Sequence, residues 1–285
     1  MATVSIFANF RINDSERFQR MKDSFFSFSD VTANEWVVNA RGKYKLDALF
    51  FLHEQLGDKL KPFVMESKKG WFHDSRKMLS SLTGDYVLFW IEDHICQKKP
   101  GNINEIVEEM EYSGAAYLHY TFFDSSAIKL YSTLPMESGK RINTFVLDKP
   151  GHKTILKKKR HAMIIGAPSV SSYALFTRII KANHPFFKRW PLQTPFDFEK
   201  GWRDTCWLPL HCALLREELF ASIDTDQPGP GGAKCLQSRG QYPARMVRQQ
   251  TNPAITSPVL CKLKSMIPIW IAHRINRFRK NKYNR

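Results

Sequence analysis

The residues best suited to chemistry are Glu92-Asp93-His94, two acids and an imidazole that follow directly on the apolar run Tyr86-Val-Leu-Phe-Trp-Ile91. Six consecutive apolar residues behind Gly84-Asp85 predict a strand buried on both faces of a parallel sheet. A buried strand that ends in adjacent acids costs desolvation energy unless the charges meet a cation or reach the surface at a ligand site. Glu92-Asp93-His94 is therefore the first candidate site.

The elements that must position this triplet are readable on either side of it. Thr3 to Phe10 reads as a strand, and Ser15 to Phe28, with Phe18, Met21, Phe25 and Phe28 at helical spacing behind Asp14 or Ser15 as a cap, reads as a helix. Glu35 to Asn39 is a second strand, and Lys45 to Leu56 a second helix with Leu46, Leu49, Phe50, His53 and Leu56 on one face. Leu60 to Met65 is a third strand, and Ser75 to Leu82 a short helix with Arg76 and Lys77 near its start. Asn102 to Tyr112 is an acidic helix with Ile103, Ile106, Val107 and Met110 at core spacing, and Ala115 to Phe123 another strand. Strands alternating with helices in this way specify an α/β fold, Rossmann-like, with a mostly parallel central sheet flanked by helices. Ligands of such sheets sit at the carboxyl ends of the strands. That rule singles out Asn9 to Arg11, Asn39 to Gly42, and Glu92 to His94.

Beyond residue 125 the text changes. From Lys129 to Arg160 a hairpin around Ile142 to Leu147 precedes an exposed basic loop, Lys153-Thr-Ile-Leu-Lys-Lys-Lys-Arg160. Ala162 to Ile165 reads as a strand and Tyr173 to Lys181 as a helix. Residues 184–258 are rich in Pro, Gly, Trp and polar residues, including Gln227-Pro-Gly-Pro-Gly-Gly232, and read as a loop-dominated lobe. Asp224 and Asp226 beside that segment either form a turn or line the same cleft as the triplet. In Leu260 to Arg285, apolar residues recur every three or four positions among eight lysines and arginines, a basic amphipathic segment that either docks on an anionic bilayer or packs on the domain. The organisation expected is residues 1–125, 126–258 and 259–285, the first two being halves of one domain.

Composition excludes several classes. A chain of 285 residues that is 43% hydrophobic and 25% charged has the profile of a globular protein, not of a disordered, collagenous or disulfide-scaffold one. Its five cysteines are scattered, with no Cys-x-x-Cys pair, which predicts reduced thiols and argues against structural zinc. The first ten residues lack a basic region and an apolar stretch of signal-peptide length, and no window offers the ~18 consecutive apolar residues of a membrane-spanning helix. A cytoplasmic protein, peripheral on the inner face of a membrane at most, is the expectation. The net charge of +16 draws polyanions, whether nucleic acid, anionic lipid or a phosphorylated small molecule.

The stretch Leu82-Thr-Gly-Asp-Tyr-Val-Leu-Phe-Trp-Ile-Glu-Asp-His94 resembles the GT-A glycosyltransferases, particularly the family-two-like enzymes of bacterial surface polysaccharides, in which a helix, a Gly-Asp-Tyr-like turn and a hydrophobic strand lead into an Asp-x-Asp-type motif. The resemblance covers residues 3–125 in element order and 160–225 more loosely. It implies a nucleotide-sugar donor, a glycan or lipid-linked acceptor and a divalent cation, Mn2+ or Mg2+, held by Asp93 with Glu92 and His94 as companions. It implies that Asn9, Arg11 and Asn39 at the strand ends bind the donor, with Arg76 in the same set. Where the family has Asp flanking its motif and Asp-Asp-Gly-Ser after strand two, this chain has Glu92 and His94, and Asn39-Ala-Arg-Gly42. The inverting members need a carboxylate base in the acceptor half. Thr194-Pro-Phe-Asp-Phe-Glu-Lys-Gly-Trp202 offers Glu199, the first choice, and Asp197, in an aromatic setting suited to raising a carboxyl pKa. Two other readings compete. A non-enzymatic nucleic-acid-binding protein would account for the charge but not for the triplet. A sugar nucleotidyltransferase would want a Gly-rich loop where Asn9-Phe-Arg-Ile-Asn13 stands.

Overall fold

A computed structural model describes residues 1–28, 30–97, 102–119, 131, 133–158, 169–181, 207–224 and 235–243. Its first part is β1 (Val4–Arg11), α1 (Ser15–Ser27), β2 (Glu35–Arg41), α2 (Lys45–Leu56), β3 (Leu60–Phe63), α3 (Trp71–Met78), β4 (Tyr86–Phe89), β5 (His94–Cys96), α4 (Ile103–Ser113) and β6 (Tyr117–His119). There follow β7 (Glu137–Ser138), β8 (Ile142–Leu147), α5 (Lys149–Lys158), β9 (Ser169–Ser172), α6 (Tyr173–Lys181), β10 (Leu210–Leu215) and β11 (Phe220–Ser222).

Nine strands form one sheet in the order β3-β2-β1-β4-β9-β6-β10-β8-β7, and β5 and β11 form a separate antiparallel pair. Strands β3, β2, β1 and β4 are mutually parallel, and β6, β10 and β7 run the same way, leaving only β8 and β9 opposed. The expected mostly parallel α/β sheet is present, and it continues unbroken from the first half of the chain into the second.

Alternation along the central strands sorts side chains into two cores. Val4, Ile6, Ala8 and Phe10 of β1, and Tyr86 and Leu88 of β4 followed by Trp90, pack with Met21 and Phe25 of α1, Leu52 of α2 and Met110 of α4. On the other face Phe7, Val87, Phe89 and Ile91 pack with Trp71 and Phe72 of α3 and with Phe176 and Ile179 of α6. β4 is thus covered on both faces, as its unbroken apolar run predicts, and its end has nowhere to go but the sheet's carboxyl edge. α1 starts where expected: the Asp14 side chain accepts the Arg17 N–H at 2.7 Å. Asn102 and Glu105 make a reciprocal capping box on α4.

Four expectations are corrected. α2 buries Ala48, Leu49 and Leu52 and turns Leu46 and Phe50 to solvent, each 65% exposed. The helix is apolar on more than one stripe, so spacing alone does not choose its inner face. α3 begins at Trp71, not Ser75, because Trp71 and Phe72 are core residues, and Arg76 and Lys77 fall in its last turn. Lys149–Lys158 is a helix where an exposed loop was expected. Pro150 sits in its first turn, where a missing N–H costs nothing, and the Asp148 carboxylate accepts the Gly151 N–H at 2.7 Å. Leu210–Leu215, within the supposed loop lobe, is a sheet strand between β6 and β8. The strand expected at 162–165 and the segment 259–285 lie outside the described residues.

Gly42, just past β2, has φ +89°, and a Cβ there would lie 2.5 Å from the Ile12 carbonyl oxygen. Gly42→Ala is expected to cost about 2–3 kcal/mol through the left-handed backbone and the clash together. Urea unfolding measures this, and a loss below about 1 kcal/mol would show that the turn shifts to accommodate a side chain.

Candidate functional site at the carboxyl edge of the sheet

Parallel β1 and β2 end in the same three-residue pattern, Asn9-Phe-Arg11 and Asn39-Ala-Arg41, and the register sets Asn9 beside Asn39 and Arg11 beside Arg41. The two asparagines are buried at 5% and 0% exposure and bonded to each other, Asn39 Nδ2 donating to Asn9 Oδ1 at 2.9 Å. Asn39 also exchanges two hydrogen bonds with Met65, accepting its N–H at 2.7 Å and donating to its carbonyl at 2.9 Å, as a backbone neighbour would. Asn9 donates to Ser75 Oγ at 2.9 Å, and its carbonyl accepts the Trp71 indole N–H at 2.7 Å. Both amides therefore tie β1 and β2 to α3 and to the segment after β3, a use different from the donor contact expected of them.

The arginines above them carry the charge. Arg11 pairs with Glu66, both side chains about two-fifths exposed at 42% and 41%. Arg41 is half-buried, and desolvation and the neighbouring Arg11 hold its pKa below the ordinary value, while Glu66, Asp74 and Glu92 oppose that shift. Arg17 of α1 reaches the same edge, donating to the Arg11 carbonyl at 3.3 Å. Arg17 and Arg41 were not among the sequence candidates, although the repeated Asn-x-Arg ending of two neighbouring strands is a signal that would have found Arg41. Arg76, expected among the donor ligands, instead uses its Nε to bond the Ile180 carbonyl at 3.0 Å and so fastens α3 to α6.

Glu92, Asp93 and His94 follow β4 at this edge, with the turn closed by His94 N–H donating to the Ile91 carbonyl at 3.1 Å. His94 is buried, and its Nδ1 lies 2.8 Å from Asp93 Oδ1, so the carboxylate orients the ring. Beyond the turn β5 pairs with β11, and Ile223 N–H donates to the Asp93 carbonyl at 2.7 Å. Asp224 is thereby drawn close, but its side chain is buried against Arg20 at 2.5 Å rather than lining a cleft. Asp226, Asp197 and Glu199 lie outside the described residues.

Glu92 is half-buried, and desolvation, followed by repulsion from Asp93, pushes its pKa up to about 7 against the pull of Arg17. The folded protein thus holds a proton between pH 4.5 and 7 that the unfolded chain has released, so stability is expected to fall as pH rises through that window, by about 3 kcal/mol at most. Glu92→Gln should flatten that slope and leave the variant the more stable protein at pH 8. Parallel urea series from pH 5 to 8 decide it; superimposable slopes would show that Glu92 titrates normally.

Among the described residues no group of three or more His, Cys, Asp or Glu is arranged to enclose a metal ion. Asp93 and Glu92 offer carboxylate oxygens suited to a cation that takes the rest of its shell from phosphate oxygens and water, while His94 has its Nδ1 on Asp93 and its Nε2 buried. No described helix is long and apolar enough to cross a membrane.

One edge of the α/β sheet thus carries Arg11 and Arg41 from the ends of β1 and β2, Arg17 from α1 and the acid turn after β4, and it is the edge at which open sheets of this kind take their ligands. No protein-family model matches the chain, and no curated protein matches it. Among solved structures it is similar to a fragment of S. aureus TarS, at 14% identity and TM-score 0.49 over 77% of this chain and 60% of that one. The same TarS fragment in complex with UDP-GlcNAc gives 12% identity and TM-score 0.46 over 81% and 60%. A mannosyltransferase from Pyrobaculum calidifontis, in complex with GDP-Man and Mn2+, gives 14% and 0.34 over 42% and 35%. The chain spans about 60% of the length of the TarS fragment.

Proposed function

We propose that this chain is a GT-A-type glycosyltransferase that moves a sugar from a nucleotide-sugar donor to a glycan or lipid-linked acceptor, with inversion and with a divalent cation, in surface polysaccharide or glycoconjugate synthesis. The observation that carries the reading is β4, a strand buried on both faces that runs straight into the half-buried acids Glu92 and Asp93, beside Arg11, Arg17 and Arg41. Opposite charges concentrated at one sheet edge suit a ligand that brings both a diphosphate and its counter-cation.

Asp93 and His94 would hold Mn2+ or Mg2+, with Glu92 beside them. Bound there, the cation supplies positive charge that stabilises the departing nucleoside diphosphate. Arg11 and Arg41 meet the phosphate oxygens directly, the diphosphate taking over from Glu66 as the counterion of Arg11. Asn9 and Asn39 hold those strand ends in register from beneath. Glu199, with Asp197 as second choice, takes the proton of the acceptor hydroxyl as its oxygen bonds to the anomeric carbon. The bond from that carbon to the diphosphate breaks with its electron pair going to the nucleotide. Segment 260–285 would set the enzyme on an anionic membrane surface on the cytoplasmic side, beside a lipid-linked acceptor.

Melting temperatures measured with a panel of nucleoside diphosphates, with and without Mn2+, test the reading. A shift that needs both nucleotide and metal is expected, and it names the base. No shift with any nucleotide, together with tight salt-sensitive binding to nucleic acid, would replace this proposal by the polyanion-binding one.

A further inference from the structure

One hydroxyl meets both ends of the acid turn. Ser24 lies on α1 at 0% exposure, next to Phe25 in a helix whose inner face is otherwise apolar apart from Arg20. Its Oγ accepts the indole N–H of Trp90 at 2.9 Å, donates to the carbonyl of His94, and stands 3.3 Å from the carbonyl of Ile91. Ile91 and His94 are the residues whose backbone bond closes the turn, and Glu92 and Asp93 are its middle. A buried hydroxyl is costly unless bonded, and alanine is the better helix former, so the helix itself gains nothing from serine here. What the hydroxyl serves is the turn.

We infer that Ser24 is a positioning residue for Glu92, Asp93 and His94. By bonding the carbonyl at the far end of the turn while anchored to Trp90 at the near end, it fixes where the Asp93 carboxylate and the His94 ring stand relative to β4. Ile223 grips the same turn from the opposite side through the Asp93 carbonyl, so Ser24 supplies the α1 half of a two-sided hold. The inference rests on the reading of Asp93 and His94 as cation ligands. Groups that orient metal ligands without touching the metal are worth about tenfold to a hundredfold in affinity.

Ser24→Ala is compared with Thr83→Ala, which removes a hydroxyl bonded to Glu35 at the opposite edge of the sheet. Three quantities are measured on the full chain: amide hydrogen exchange across 91–97, melting temperature, and Mn2+ affinity in the presence of UDP or GDP from the electron paramagnetic resonance signal of free Mn2+. Expected for Ser24→Ala is exchange across the turn about tenfold faster than in Thr83→Ala at matched melting temperature, with Mn2+ affinity down about tenfold or more. Equal exchange in the two variants overturns the inference, as does faster exchange with unchanged Mn2+ affinity. Wild-type protein that binds no Mn2+ with either nucleotide overturns the cation reading instead, and exchange then still decides whether Ser24 orders the turn. Should Ser24→Ala fail to fold, Ser24→Cys, which keeps a weak donor in nearly the same volume, carries the same comparison.

Discussion

Asp93→Ala is expected to abolish the Mn2+-dependent part of nucleotide binding, a loss of about a hundredfold or more in affinity, while leaving the fold intact. The two halves of that expectation have separate causes. Asp93 is 22% exposed at the side chain, so its removal opens no cavity in either core. It also removes the charge that, after desolvation, does most to raise Glu92, so the turn loses a repulsion and Glu92 should titrate closer to an ordinary carboxylate. Stability at pH 7–8 is therefore predicted to stay level or rise. The ligand side moves the other way: a carboxylate oxygen is lost from the donor set, and His94 loses the partner 2.8 Å from its Nδ1 that orients the ring. Melting curves with UDP or GDP, with and without Mn2+, separate these effects. A wild-type metal-dependent shift in Asp93→Ala would remove Asp93 from the site, and a collapse of the melting temperature without ligand would make it a structural residue.

The parts of this arrangement legible in the sequence are those fixed by local pattern. The limits of α2 and α6 follow from periodicity, and the two-sided burial of β4 follows from the six-residue apolar run that it opens. Which face of α2 turns inward does not follow, because Leu46 and Phe50 satisfy the same spacing as residues that are buried, and only the neighbouring sheet decides. The site divides in the same way. The acid turn is legible because an abrupt change from apolar to charged is a one-dimensional signal. The pairing of Arg11 with Arg41 needs the register of two strands, and the buried roles of Asn9 and Asn39 need the approach of Met65, Trp71 and Ser75. Asp224 is the extreme case, since its partner Arg20 is 204 residues away. Neither residue's local sequence distinguishes a buried ion pair from a solvated turn and a solvated helix face.

That pair carries the largest stability prediction. The Arg20 side chain is 2% exposed, with Nη1 at 2.5 Å from Asp224 Oδ2 and Nη2 at 2.7 Å from Glu16 Oε1. The Tyr242 ring lies 5.6 Å from its guanidinium carbon, and the Tyr242 hydroxyl donates to Asp23. Arg20→Ala would take from Asp224, 9% exposed at the side chain, the guanidinium that lies 2.5 Å from its Oδ2, and should cost about 3–5 kcal/mol, a large part of the ~5–15 kcal/mol that a typical domain has. The net worth of the intact pair is much smaller, because each charge was desolvated to form it. Arg20→Met combined with Asp224→Leu should therefore recover most of the loss, with Glu16, still 24% exposed, remaining hydrated. Urea unfolding of the single and double variants measures both numbers. A loss under about 1 kcal/mol for Arg20→Ala would mean that water reaches Asp224 in solution. A double variant as unstable as the single would mean that the ion pair itself, rather than the buried charge left by its loss, holds α1 to the segment after β11 whose Ile223 N–H bonds the Asp93 carbonyl.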